Sequence, residues 1–249
     1  EYVFLKGAAL LITKPYGTIK ERMVGDIDIL VAEKDLEKAQ KILISEGFQE
    51  TAKIKLMKGL NFSRHLKRIT HPDFISAVEI HRSIFDYNRI KIINSKEILK
   101  NKIKNSEGYF VPSNYHLWLH AILNWQYNDN GIQYNTISLR SFMDVVHLEP
   151  ENFDNDVIVS KAVSHFYSLC SVLVDIYKKS NYLPALIFKY KLIFPKFSYI
   201  YNYFIKLKII FLMIFVRFKF ALKSKIYRLR VLNNLNLIFK RLLIFWKKN

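Results

Sequence analysis

An α+β fold is predicted for this chain, with strands and helices interleaved in its first part and helices alone thereafter. Three observations carry the prediction. Short β-prone runs at residues 2–5, 26–31 and 74–81, two of them alternating in polarity, are interleaved with a helical pattern at 34–46. After about Ser95 the apolar spacing becomes three and four. Finally, residues 1–175 carry 22 Lys and Arg against 21 Asp and Glu, whereas residues 176–249 carry 17 basic residues and no acid. Nearly all of the net charge of +18 therefore belongs to the tail. Three parts are expected: a mixed domain at 1–95, a helical domain at 96–195, and a basic, apolar extension at 196–249.

The 249 residues are enough for a sizeable core, and an apolar fraction of 51% with 15% aromatics excludes disorder for the chain as a whole. A single cysteine, Cys170, lies in an apolar run and supports neither a disulfide framework nor a cysteine zinc site. A reducing, cytoplasmic setting is the expectation. The chain starts at Glu1 inside an apolar run without an initiator Met, so the native N-terminus is expected further upstream.

Taken in order, Tyr2-Val-Phe-Leu5 reads as a strand, Lys6-Gly7 as a turn, and Ala8 to Ile12 as the start of a helix that Pro15-Tyr16-Gly17 ends. Asp26 to Val31 is the next strand. Leu36, Ala39, Ile42 and Leu43 fall at helical spacing, with Gly47 as the stop. Residues 48–55, 60–70 and 74–81 read as strands. Helices are expected at 115–125, 137–148 and 156–177, separated by polar stretches such as Asn128-Asp129-Asn130-Gly131.

Chemistry concentrates in the second strand, Arg22-x-x-Gly25-Asp26-Ile27-Asp28-Ile29-Leu30-Val31. Alternation puts Asp26 and Asp28 on one face and Ile27, Ile29 and Val31 on the other. Two neighbouring carboxylates repel unless a positive group intervenes, and a divalent cation with oxygen ligands, magnesium first, answers that need. Pairing of each Asp with a Lys or Arg at a strand end answers it equally well. A third strand carboxylate, Glu79, shares a face with His81. Gly7 stands where a strand meets a helix N-terminus, a place suited to phosphate.

With Leu5-Lys6-Gly7-Ala8-Ala9, Arg22-x-x-Gly25-Asp26-Ile27-Asp28-Ile29-Leu30-Val31 and Val78-Glu79-Ile80-His81 in hand, the chain resembles the bacterial nucleotidyltransferase family of the DNA polymerase β superfamily. Leu139-Arg140-Ser141-Phe142-Met143-Asp144 is similar to the helical part of the same branch, and the matches span about residues 3–148. The resemblance implies a small mixed sheet with packed helices. It also implies a two-magnesium site that transfers a nucleoside monophosphate from ATP or another NTP to a hydroxyl acceptor, which is a small molecule, a sugar or a protein. Asp26 and Asp28 would hold the metals, Glu79 would be the third carboxylate, and Gly7 would back the phosphates. Lys6 and Arg22 are added as electrostatic partners of the triphosphate, with pairing to Asp26 or Asp28 as the alternative. His81 would orient Glu79 or touch the acceptor. The superfamily usually has Gly-Ser at the turn and a shorter run to the acidic pair. Here Ala8 follows Gly7 and Asp26 lies 19 positions on, which leaves room for a non-catalytic nucleotide-binding or interaction protein.

Other constellations read more plainly. His116 and His120 are four apart on a helix, but the glutamate of a metalloprotease pattern is absent, and core or hydrogen-bonding roles are expected. His65 and His71 are expected at the surface. Arg140 and Asp144 are expected to pair along a helix. Phe197 to Val216 approaches the length of a membrane span, but Lys206 and Lys208 argue against crossing. Peripheral attachment of 196–249 to an anionic membrane at the inner face is the first reading of the tail. Binding to nucleic acid is the second, and a packed helical cap the third.

Overall fold

The computed structural model describes residues 1–17, 22–51, 63–85, 93–148, 157–176 and 180–232. Two compact units are present, one reaching to Pro195 and the other beginning at Lys196. The first holds a five-stranded mixed sheet in the order β1 (Tyr2–Leu5), β2 (Ile27–Val31), β5 (Val78–His81), β4 (Ile69–Thr70) and β3 (Gln49–Glu50). β2 and β5 pair in parallel at the centre, and the remaining pairs are antiparallel. The α+β class expected from the sequence is thus the one observed.

Alternation along β1 and β2 decides what each face buries. Val3, Leu5 and Leu30 point to one side, into a cluster with Ala9 and Leu10 of helix α1 (Lys6–Thr13) and Leu117 to Leu123 of helix α4 (Asn114–Leu123). Val31, Val78 and Ile80 point to the other, against Leu36, Ala39 and Leu43 of helix α2 (Leu36–Ser45). The first cluster continues through Val145 and Leu148 of helix α6 (Leu139–Leu148) to Val163, Phe166 and Cys170 of helix α7 (Val157–Val174). The first cluster thus backs one face of the sheet and the helices that follow it.

Several boundaries differ from expectation for local reasons. The strand expected at 74–81 starts only at Val78, because Pro72-Asp73 form a turn and Phe74 and Ile75 are exposed. Of the strands expected at 48–55 and 60–70, residues 52–62 lie outside the described part. Helix α3 (Ser95–Lys100), capped by the Asn94 side chain on the Lys96 N–H, is followed by an unexpected hairpin of β6 (Ile103–Lys104) and β7 (Phe110–Val111). Its turn is built by Asn105, whose carboxamide oxygen accepts from the N–H groups of Glu107 and Tyr109, and by Gly108 at φ 90°. Two-residue strands are too short to show a periodicity.

After α4 the chain runs directly through a π-helical turn at Asn124–Asn128 into the short helix α5 (Gly131–Tyr134). Gly131 is required here, since an added Cβ would stand 2.4 Å from Trp125 Cδ1. Helix α8 (Leu183–Ile193) completes the first unit. The second contains nearly all of helix α9 (Pro195–Lys223) and helix α10 (Lys225–Leu232). Residues 233–249 of the expected extension lie outside the described part.

Candidate metal and nucleotide site

β1 passes into α1 with no loop between them. Lys6 makes the bend with φ 48°, a left-handed conformation that costs a residue with a side chain roughly 1 kcal/mol or more. The bend carries its ammonium to Asp28 Oδ1 at 2.6 Å. Gly7 is buried directly behind, and Val24 sits so close that an added Cβ would be 2.9 Å from its Cγ2.

Asp28 lies opposite Glu79 in the parallel register, and His81 lies opposite Leu30. The alternation that sends Leu30 into the core sends Asp28 with it, leaving a 5% exposed carboxylate that needs partners. Lys6 is one, and His81 Nε2 at 2.8 Å is the other. Burial pulls the Asp28 pKa upward, but the His81 hydrogen bond and the Lys6 charge outweigh it and hold the carboxyl at about 2. Glu79 Oε2 is 3.6 Å from His81 Nε2 and 3.9 Å from His65 Nε2. A hydrogen bond from the His81 ring keeps the Glu79 pKa below the ordinary carboxylate value, against a smaller opposing effect of burial. Both carboxylates are thus ionised at neutral pH.

One ligand atom each from Asp28, Glu79 and His81 lie within 4.8 Å of one another, a spacing that three ligands of a single ion can share. Two anionic oxygens and a buried imidazole form a donor set that fits a divalent cation. His65 adjoins this cluster through an isolated antiparallel bridge to His81, with ring centroids 5.1 Å apart. Its surface assignment is therefore corrected. The pairing that brings it there joins positions 16 residues apart, and nothing in its neighbours announces it.

Asp26 and Arg22 fall elsewhere than the sequence suggested. The structure brings Asp28 and Glu79 together but leaves Asp26 just ahead of β2, its carboxylate hydrogen-bonded to the exposed guanidinium of Arg68. Arg22 pairs with neither strand aspartate. Its Nε and Nη2 donate to Oδ1 and Oδ2 of Asp144 at 2.7 and 2.9 Å, and the Tyr16 hydroxyl donates to the same carboxylate. Burial, followed by the Asp144 hydrogen bond, drives the Tyr16 pKa upward. The Arg140–Asp144 helical pair is corrected accordingly: Asp144 is turned inward on α6 and buried, while Arg140 is exposed. A long-range bidentate partner outcompetes a solvated neighbour four residues away.

His116 takes a hydrogen bond with Ser113, the N-cap of α4, and His120 is fully enclosed, with burial lowering its pKa to about 3. His71 packs against Phe48 and Phe74.

Fold and site together define an α+β protein with a cluster compatible with a divalent metal at the centre of its sheet, beside a lysine-bearing strand-to-helix turn. A family model described as "Uncharacterised nucleotidyltransferase" matches residues 1–165, and the chain belongs to that family. No curated protein and no solved structure matches it.

Proposed function

We propose that the chain transfers a nucleoside monophosphate from a magnesium-bound NTP to a hydroxyl on a small molecule, a sugar or a protein. The observation that carries this is the convergence of Asp28, Glu79 and His81 within 4.8 Å beside Lys6 in a chain of this family. Divalent ions, when bound, stabilise the entering and leaving oxygens of an in-line displacement. Asp28 and Glu79 supply the anionic ligands for them. Glu79, open to solvent on one side, is also placed to accept the acceptor's proton. Lys6 offers an ammonium to the triphosphate. Asp26, partly exposed and tied to an exposed Arg68, serves the ion that arrives with the nucleotide, and Arg22 acts on the phosphates through the segment it anchors.

Incubation with each α-labelled NTP, magnesium and a lysate acceptor fraction tests the reading, with Asp28→Ala and Glu79→Ala for comparison. Label transferred by the wild type alone supports it. Equal transfer by the variants overturns it. A second reading, a non-catalytic nucleotide-binding protein, is favoured by Ala8, which brings no hydroxyl to the turn, and by Val24, which covers Gly7. Nucleotide binding without magnesium-dependent pyrophosphate release would establish it.

The second unit is proposed to rest on an anionic membrane surface at the cytoplasmic face. None of the described helices is long and apolar enough to cross a membrane. Residues 211–219 of α9 are all exposed, with Phe211, Leu212, Met213, Ile214, Phe215 and Val216 followed by Arg217 and Lys219. Apolar side chains with basic flanks suit a headgroup boundary. Co-sedimentation with phosphatidylserine vesicles but not with phosphatidylcholine vesicles is expected. Equal recovery with both, or binding to RNA instead, would refute it.

A further inference from the structure

Two imidazoles, not one, face Glu79. His81 and His65 both present Nε2 to Glu79, at 3.6 and 3.9 Å. Both turn Nδ1 toward a main-chain carbonyl, His81 toward Ser83 at 3.4 Å and His65 toward Leu66 at 2.6 Å. A proton on Nδ1 therefore has an acceptor in each ring, and Nε2 is the nitrogen left facing the acids. Metal-binding imidazoles have this kind of partner, which fixes ring orientation and tautomer. The bridge between His65 and His81 holds the two rings side by side, and His81 is 1% exposed, so neither arrangement depends on a loose side chain.

Magnesium prefers an all-oxygen shell and keeps much of its water, whereas imidazole nitrogen suits zinc, iron, nickel and copper, and manganese stands at the weak-binding end of the same first-row series. Two carboxylates and the His81 imidazole around one point, with a second imidazole against Glu79, therefore discriminate between these ions. We propose that Asp28, Glu79 and His81, with His65 approaching from the Glu79 side, bind a first-row transition ion such as Mn2+ or Zn2+ in preference to Mg2+. The proposal rests on reading this cluster as the cation site of the nucleotidyl-transfer centre, and it limits magnesium to the ion carried by the triphosphate.

The test titrates Mn2+ into the full chain without nucleotide, reads free Mn2+ by electron paramagnetic resonance, and then competes the bound ion with Mg2+ and Zn2+. One Mn2+ per chain is expected, displaced by Zn2+ at near-equal concentration and by Mg2+ only at about a hundredfold excess or more. Pulsed spectra should show nitrogen coupling from imidazole. His65→Asn, at a partly exposed position that tolerates the change, should weaken Mn2+ binding about tenfold and leave Mg2+ binding unchanged. His81→Asn should do the same or more. Competition between Mg2+ and Mn2+ as equals, spectra without nitrogen coupling, or unaltered Mn2+ affinity in His65→Asn would each overturn the proposal. With no nucleotide present, a failure of transfer activity leaves this result standing. Conversely, an active transferase whose cluster prefers magnesium would sink the inference alone.

Discussion

Replacing Asp144 by alanine removes one carboxylate and strands three donors, Arg22 Nε, Arg22 Nη2 and the Tyr16 hydroxyl. The side chains of Arg22 and Asp144 are only 10% and 8% exposed, so water replaces little of what is lost. Breaking a buried pair by deleting one partner costs about 3–5 kcal/mol, against a few tenths for a solvated helical pair. For a unit of this size each kcal/mol lowers Tm by about 2–4 °C, so a drop on the order of 10 °C is expected for Asp144→Ala. Urea denaturation followed by tryptophan fluorescence measures it, and a double-mutant cycle with Arg22→Ala isolates the coupling, expected at about 2 kcal/mol or more. Arg140→Ala is the control and should shift stability by no more than about 0.5 kcal/mol. A loss below about 1 kcal/mol in Asp144→Ala, or equal losses in Asp144→Ala and Arg140→Ala, would refute the assignment of Asp144 to Arg22.

Three further outcomes are expected. Asp28→Asn keeps the shape at the end of Lys6 but removes the charge, and nucleotidyl transfer should fall about a hundredfold or more while circular dichroism is retained. Gly131→Ala forces a methyl into Trp125 and its carbonyl, and should cost about 1–3 kcal/mol in denaturant unfolding, with Trp125→Phe failing to restore the loss because the carbonyl contact stays. His165 is buried beside Asn135, and burial lowers its pKa to about 4. The unfolded chain takes up a proton below about 6.5 and the folded chain does not until about 4, so stability is complete above 6.5 and declines as pH falls through that window. Measured at intervals from pH 7 to 4.5, His165→Gln should flatten the decline by on the order of 1–2 kcal/mol.

The sheet strands that matter were legible because each alternates: Ile27, Ile29 and Val31 against Asp28 and Leu30 announce both the strand and its faces. Asp28 and Glu79 were legible as acids in otherwise apolar strands. That they are direct neighbours follows only from the parallel pairing of β2 with β5, which composition does not encode. His65 was missed because its role depends on a cross-strand partner, His81, and not on any spacing of its own. Arg22 was read as a partner of a triphosphate, yet the partner the structure gives it is Asp144, 122 residues away on α6, beyond the reach of any local rule. The π-helical turn after α4 was equally hidden, since Asn124 to Asn128 carries no breaker, and the need for glycine at 131 shows only once Trp125 is seen packed against it.

The parallel pairing of β2 with β5 has a thermodynamic consequence. Asp28 and His81 are 53 residues apart in the chain, and the loop between them contributes two more strands, so these two side chains meet only after the least local contact of the sheet has closed. An unfolded chain cannot assemble the set, and a cation bound there acts on the folded state alone. At a hundredfold excess over its dissociation constant it would add about 2.7 kcal/mol to stability, a sizeable share of what holds a domain together. Cation supply would then govern how much of the protein survives as well as how fast it works, and a chelator would register first as a lower melting temperature.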